Sequence, residues 1–512
     1  MWKDSGKIEI NRVGNIGTNN TRQAAWVAVG NLFSFMVGIL SPMILSRFFD
    51  KADYGTYKQV MYVYNTLLAV FTLGLPKAYA YFIPKFERKY SKDIINKITR
   101  IFWTLGLAFA ALLYFGSTPI SKLLANPELD TALKLFAPVP LFLLPTMGLD
   151  NICASFQRTK VLAFYTITTR IFTVLCTILP VLIWKGNYLH AILGFDFACI
   201  ITCLLALYIK NKLTSDSIQE ISALKLKEIL RFSIPLLTAS LWGMVISSST
   251  QFFISRYYGN DVFADFSNGF MELPFVGMII GAIATVLLPA FSKMDTGEGI
   301  SQDTLKLWTS SLIKSAKIIF PMLIYCIFFA EIIMTCMYGD HYATSSYYFI
   351  IKNFSGLFYV IPFVPIILAI GRTKEYSRVH MLIAVLIVLL EFFAVKYTTS
   401  PVIVAAVSEL CQILKIILLF RIICGYAKSS INQLLPLRQL TKVIIQSILS
   451  AVLPCIIIYL FDMNKFVGLS ISFILYILVY YVLCFLFKTT YRDIASSFIK
   501  SKSSARLVRF LP

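Results

Sequence analysis

The chain has 512 residues, of which 58% are hydrophobic and only 14% charged, with a mean hydropathy of +0.74. Those proportions exclude a water-soluble globular protein, which needs far more polar surface. The net charge of +21 would point to nucleic acid in a soluble chain, but here the basic residues gather in loops between apolar runs, so no nucleic-acid partner is expected.

From the N-terminus, a polar tail over 1–23 precedes fourteen apolar stretches, each long enough for a hydrocarbon core of roughly 30 Å. They are predicted at 24–49, 58–84, 98–117, 132–156, 161–184, 188–209, 229–255, 262–291, 310–334, 345–370, 379–395, 402–423, 440–461 and 466–487. A transmembrane barrel would show alternating segments of about ten residues instead. The first run is read as a membrane span and not as a cleavable signal peptide. The expected fold class is all-α integral membrane, with 14 transmembrane helices in two six-helix lobes plus two C-terminal helices. The expected organisation is a cytoplasmic tail (1–23), an N-lobe of spans 1–6 (24–210), a cytoplasmic linker (211–228), a C-lobe of spans 7–12 (229–425), spans 13–14 (438–487) and a basic cytoplasmic tail (488–512).

Orientation follows from the 47 Lys and Arg. With both termini cytoplasmic, 34 fall in inside segments or the adjoining span ends, 9 in outside loops or the adjoining span ends, and Lys77, Arg170, Lys352 and Lys415 deeper within spans. That asymmetry is the positive-inside pattern. A second regularity is an echo: "LSRFFDKADYGTY" at 45–57 and "ISRYYGNDVFADF" at 254–266, offset by 209 positions. Ser46/Ser255 and Arg47/Arg256 are identical, and Phe48/Tyr257, Phe49/Tyr258, Tyr54/Phe263, Tyr57/Phe266 and Gln59/Asn268 keep their character; Arg22 and Arg231 share the offset. Six spans separate the copies, so both face the same way, as in parallel repeats related by an axis along the membrane normal. Arg47 and Arg256 are read as outer-rim anchors of this pseudo-two-fold repeat, with a part in outer-gate contacts or substrate recognition as the alternative.

An ionisable group at membrane depth costs about 3 kcal/mol on insertion scales and therefore usually faces a bundle interior or water. Arg170 lies roughly 13 Å into span 5, at ~1.5 Å per residue; it either lines a cavity as a cation or pairs with Asp150 or Asp196. Lys352 in span 10 lines a cavity or snorkels outward. Lys77 follows "LGLP", where Pro76 should kink span 2, while Lys415 sits nearer the inner face. Among acids, Glu272 in "FMELP" precedes Pro274, with Asn268 one turn away at i and i+4, and span 7 supplies the polar run Ser247–Gln251. Glu272, Asn268 and Asp196 are candidates for carrying H+ or Na+, with helix packing as the alternative; Glu409 raises the same question.

No enzyme or metal constellation emerges. His190, His341 and His380 lie near loops without partner spacing, the ten cysteines have no CxxC pattern, and there is no Walker-type phosphate loop. No cofactor is expected. The C-terminal "YRDIASSFIKSKSSARLVRF" is basic and partly amphipathic, and is expected to lie on the anionic inner leaflet.

Two six-span halves with short loops, together with "LSRFFDKADYGTYKQV" at 45–60, resemble the polysaccharide flippases of the multidrug/oligosaccharidyl-lipid/polysaccharide exporter superfamily. Arg47, Phe48, Phe49, Tyr54, Gly55 and Tyr57 match that family's pattern, and "ILRFSIPLL" (229–237) and "LLPAFSKM" (287–294) look like its second-half start and span-8 exit. The resemblance implies outward flipping of lipid-linked oligosaccharide on undecaprenyl pyrophosphate across a bacterial inner membrane, by alternating access, for O-antigen, capsule or exopolysaccharide. It makes polysaccharide polymerases and glycosyltransferases plausible partners, beside membrane lipids. Arg170, Lys352 and Lys77 would supply cations to the pyrophosphate, and ion coupling or the membrane potential would supply the drive. Lipid II flippases and drug/cation antiporters of the same superfamily, or a membrane glycan polymerase or ligase, are the alternatives. The antiporters usually have twelve spans, and the enzymes need a larger outside loop.

Overall fold

A computed structural model of the chain describes residues 26, 29–215, 220–292, 302–361, 363, 366–367, 371–427, 434–461 and 463–491. Arg22 with the N-terminal tail, and the basic tail beyond Tyr491, lie outside the described residues. Those described are helical, linked by turns and three short 3-10 segments, with no strand among them. In a hydrocarbon environment this is required, because a helix satisfies its backbone groups internally. The chain divides into two compact units, Met1–Ala264 and Asp265–Pro512.

In the first unit α1 (Val29–Phe48) is followed by α2 (Lys51–Phe71), α3 (Pro76–Lys85), α4 (Ser91–Phe115), the short α5 (Ser117–Leu123), α6 (Glu128–Phe136), α7 (Pro138–Leu143) and α8 (Leu149–Ser155). The long pair α9 (Thr159–Trp184) and α10 (Tyr188–Leu213) follows, and α11 (Leu226–Gly269) runs across the boundary into the second unit. The core is aromatic: Tyr64 stacks on Phe109 at 5.7 Å and meets Phe136 edge-on at 5.3 Å, pairings that add to plain area burial.

The second unit holds α12 (Pro274–Ser292), α13 (Gln302–Phe328), α14 (Ala330–Tyr338), α15 (Ser345–Gly356), α16 (Thr373–Tyr397), α17 (Pro401–Ala427), α18 (Leu437–Leu460) and α19 (Lys465–Leu486). Here a proline inside a helix organises packing. Pro321 has no N–H, so the carbonyl of Lys317 loses its helical donor; Tyr491 Oη donates to that carbonyl at 2.8 Å. Tyr476 Oη donates to the Pro321 carbonyl at 2.8 Å, and Tyr325 Oη meets Ser472 Oγ at 3.0 Å. These contacts fasten α13 to α19.

Eleven helices among the described residues are long and apolar enough to span a membrane, or twelve if one bent pair counts as a span. Of the expected fourteen, spans 7, 8 and 10 fall outside those eleven. Spans 7 and 8 run together in α11 with one non-helical residue, Gly259, between them. Span 8 is then broken over 270–273, with a 46° bend before α12. Span 10 begins as the 12-residue α15, which stops at Gly356. Span 2 is broken as well: Leu73 and Gly74 adopt positive φ, and Pro76 opens α3. In both breaks a Leu-Pro pair restarts the helix, where the missing N–H is harmless.

The sequence echo is a structural repeat. Asp50 and Gly259, 209 positions apart, are each the non-helical residue between consecutive helices. Leu45/Ile254, Ser46/Ser255, Tyr54/Phe263, Tyr57/Phe266 and Gln59/Asn268 are buried in both copies, whereas Phe48 and Tyr257 are exposed in both. Each copy is also clasped by the loop between its third and fourth spans. Asn126 Nδ2 donates to Thr56 Oγ1 at 3.0 Å and to Gln59 Oε1. At the equivalent of Thr56, Asp265 Oδ2 accepts from Thr344 Oγ1 at 2.6 Å and its Oδ1 from Ser345 Oγ at 3.3 Å. Gly55 permits a close approach: a Cβ there would lie 2.1 Å from the Asn260 carbonyl oxygen.

Candidate functional site

Charges at membrane depth converge in the second unit on a cavity of about 350 Å³. Lys352 comes from α15, with Ser355 one turn on. Glu409, Gln412 and Lys415 share one face of α17 at i, i+3 and i+6, and Tyr376 and His380 are one turn apart on α16. Glu272 stands in the unwound 270–273 stretch. Lys352 Nζ is 2.9 Å from Glu409 Oε1 and 3.3 Å from Glu272 Oε1. Ser355 Oγ donates to Glu409 Oε2, Lys415 Nζ to Gln412 Oε1, and the Lys352 ammonium lies 4.9 Å from the Phe270 ring centroid.

The two partners of Lys352 differ. The Glu409 side chain is 4% exposed and anchored by Ser355, while that of Glu272 is 79% exposed. Lys352 therefore has one fixed counter-charge and one that solvent or a ligand can replace. Lys415, 5.7 Å from the Tyr359 ring centroid, adds a second cation to the wall, and His380 Nδ1 lies 2.9 Å from the Tyr376 carbonyl. Two lysines and Glu272 thus line the cavity, with Glu409 paired to Lys352.

Lys352 lines the cavity and bridges two carboxylates. This geometry corrects one local expectation. Asn268 and Glu272 do not share a helical face, because α11 ends at Gly269; Asn268 is buried and Glu272 opens onto the cavity. The polar run Ser247–Gln251 faces α2 within the first unit, where Tyr62 Oη donates to the Ser248 carbonyl at 3.2 Å and Thr66 Oγ1 to Ser248 Oγ at 3.1 Å. There it lines an uncharged polar cavity of about 340 Å³ with Asn65 and Ser240.

The remaining candidates belong to the first unit. Arg170 is near the middle of the 26-residue α9 and exposed, and among the described residues it makes no ion pair with Asp150 or Asp196. Asp150 accepts instead from Asn151 Nδ2 at 3.1 Å. Asp196 Oδ1 is buried on α10 with no hydrogen bond among the described residues. Lys77 is exposed one residue into α3. Arg47 is exposed; Arg256 Nη1 donates to the Lys122 carbonyl in the last turn of α5, a helix end where a cation is favoured.

One buried cation escapes sequence inspection. Lys210, beside Lys212 at the end of an apolar run, reads as an interfacial residue, yet it is 4% exposed. Its Nζ donates to the Pro145 carbonyl at 2.7 Å and lies 3.3 Å from both Tyr79 Oη and Thr99 Oγ1. These oxygens come from helices distant in sequence, so no local spacing announces them.

A family model described as "Polysaccharide biosynthesis protein" matches residues 21–295. Among solved structures, the chain is similar to the lipid II flippase MurJ in an inward closed conformation, at 16% identity and a TM-score of 0.70, over 91% of this chain and 99% of that one. It is also similar to an inward-facing multidrug resistance MATE family transporter of the MOP superfamily, at 13% identity and TM-score 0.61, over 80% and 99% of the two chains. A MOP superfamily transporter from Pyrococcus furiosus matches at 13% identity and TM-score 0.55, over 80% and 96%. At these identities the likeness is one of fold. No curated protein matches.

Proposed function

From the premise that this chain belongs to the polysaccharide biosynthesis protein family, we propose that it flips lipid-linked oligosaccharide, carried on undecaprenyl pyrophosphate, from the inner to the outer leaflet of a bacterial inner membrane. The observation that carries this reading is the family match over residues 21–295, joined to the fold shared with flippases and transporters. The glycan would serve O-antigen, capsule or another exopolysaccharide, with glycosyltransferases upstream and a polymerase downstream. Fourteen spans, two lobes joined by a cytoplasmic linker at 211–228 and both termini in the cytoplasm complete the topology we propose, supported by the 34-to-9 distribution of Lys and Arg.

In the proposed mechanism the pyrophosphate competes with Glu272 for Lys352. An anionic headgroup crossing hydrocarbon meets a large Born penalty unless fixed charges replace water, and a lysine held in place by Glu409 is such a charge. When the headgroup enters, the exposed Glu272 carboxylate yields its place. When the headgroup leaves, Glu272 closes back on Lys352. A proton or Na+ on Glu272 would favour exchange; Asp196, with its unbonded buried oxygen, is a second ion-coupling candidate, and Asn268 packs beside the break. Arg170 and Lys77 supply further cations on the path, and Arg47 and Arg256 close the outer rim. Outward movement of two negative charges along an inside-negative potential yields about 4–5 kcal/mol at 100 mV, at ~2.3 per charge, so the potential alone is a sufficient drive. Alternating access would expose the cavity to each side in turn.

The TM-score of 0.70 to a lipid II flippase favours a second reading, with lipid II as cargo. Proteoliposomes holding fluorescent polyprenyl pyrophosphate lipids separate the two. A short oligosaccharide headgroup flipped faster than the lipid II headgroup supports the first reading; the reverse order overturns it.

A further inference from the structure

The second unit carries another cavity, of about 850 Å³, at the ends of α13, α18 and α19. Five lysines line it: Lys306, Lys314 and Lys317 from α13, Lys442 from α18, and Lys488 just past α19. Among the described residues lining it there is no Asp or Glu. The α13 lysines stand at i, i+8 and i+11, a spacing that keeps them on one helical face. The wall is built, not frayed. Beyond α19 the chain turns at Lys488 (φ 50°), and Thr489 Oγ1 donates to Gln446 Oε1 of α18 at 2.9 Å. Lys317 Nζ donates to the Thr490 carbonyl at 2.6 Å, and Tyr491 donates to the Lys317 carbonyl freed by Pro321.

Like charges crowded in a concave space repel, and a low-dielectric wall strengthens the repulsion. Five ammonium groups around one pocket match a compact anion bearing several charges, and lysine binds phosphate as a point charge. Basic pockets between membrane helices take phosphate-bearing headgroups on this physical ground. Within three residues of the lining Lys442 and Lys488 along the chain, Ile445 of α18 and Phe485 and Leu486 of α19 are exposed apolar side chains. A ligand with a charged head and hydrocarbon chains can satisfy both surfaces, which a free anion does not.

We propose that this lysine cavity binds the headgroup of a membrane lipid carrying two phosphates. Two sources share that chemistry, a bis-phosphate phospholipid such as cardiolipin and a polyprenyl diphosphate. The site is separate from the Lys352 cavity, and the inference does not rest on the transport reading.

The test is equilibrium binding to the purified full-length chain in zwitterionic nanodiscs. The probes are cardiolipin, undecaprenyl pyrophosphate, inorganic pyrophosphate and, as baseline, added phosphatidylcholine. At least one of the two lipids is expected to bind well above baseline. The double variant Lys314→Gln/Lys442→Gln should bind it about 25-fold more weakly, at about fivefold per lysine, while Lys185→Gln/Lys396→Gln leaves it unchanged. The tighter of the two lipids names the source. If the double variant does not fold, the single variants Lys314→Gln and Lys442→Gln are each expected to lose about fivefold. Three results overturn the proposal: neither lipid binding above baseline, equal lipid binding by folded variant and parent, or inorganic pyrophosphate binding as tightly as the lipids.

Discussion

Lys352 has a buried partner and an exposed one, and the two should respond differently to substitution. Glu409→Gln leaves a nearly buried ammonium with only the exposed Glu272 opposite it. Breaking a buried pair from one side costs about 3–5 kcal/mol; Glu272→Gln should cost under about 1 kcal/mol, as for exposed pairs. Thermal unfolding in detergent distinguishes them, and equal losses would mean that the pair is not arranged as described. Lys210 gives a second residue-level expectation. Lys210→Met removes the donor to the Pro145 carbonyl and should destabilise by about 1–3 kcal/mol, whereas Lys212→Met next to it should be near neutral.

At the scale of elements, the repeat and the proline breaks make different demands on the chain. Gly259 has φ 84° and ψ 176°, a region essentially closed to other residues, with open space around it. Gly259→Ala should therefore cost about 1–3 kcal/mol from backbone strain alone. Asp50 fills the same place in the other copy with φ −61° and ψ 154°, so Asp50→Ala should leave stability nearly unchanged. A melting shift of equal size for both would refute this asymmetry.

How far the sequence led is visible in the same elements. The echo at 45–57 and 254–266 marked the repeat, and "LGLP" marked a break, because Gly and Pro act locally. The second break was harder. Pro274 shows that a helix can restart there, but nothing in "NGFMELP" says that the preceding helix stops at Gly269, and the i, i+4 relation of Asn268 to Glu272 was lost with it. Span 10 is similar: apolar composition over 345–370 does not reveal that α15 stops at Gly356. Lys352 and Glu409 each stood out as ionisable groups within apolar runs. Their pairing joins helices 57 residues apart, a contact that tertiary packing makes and no local pattern encodes.

For the molecule as a whole, the central claim is that it flips an anionic lipid-linked glycan past a lysine held ready by one carboxylate and guarded by another. If the potential drives the step, collapsing an inside-negative potential of 100 mV should slow flipping in proteoliposomes, since about 2.3 kcal/mol per charge is then withdrawn. The most direct test measures flipping of a fluorescent oligosaccharide polyprenyl pyrophosphate by the parent chain, by Lys352→Gln and by Glu272→Gln, all with unchanged folding. The account predicts that Lys352→Gln loses at least about tenfold, equivalent to ~1.4 kcal/mol, while Glu272→Gln still binds the headgroup but no longer releases it at the parent rate. Undiminished flipping by Lys352→Gln, or no flipping of any pyrophosphate-linked glycan by well-folded parent protein, would contradict it.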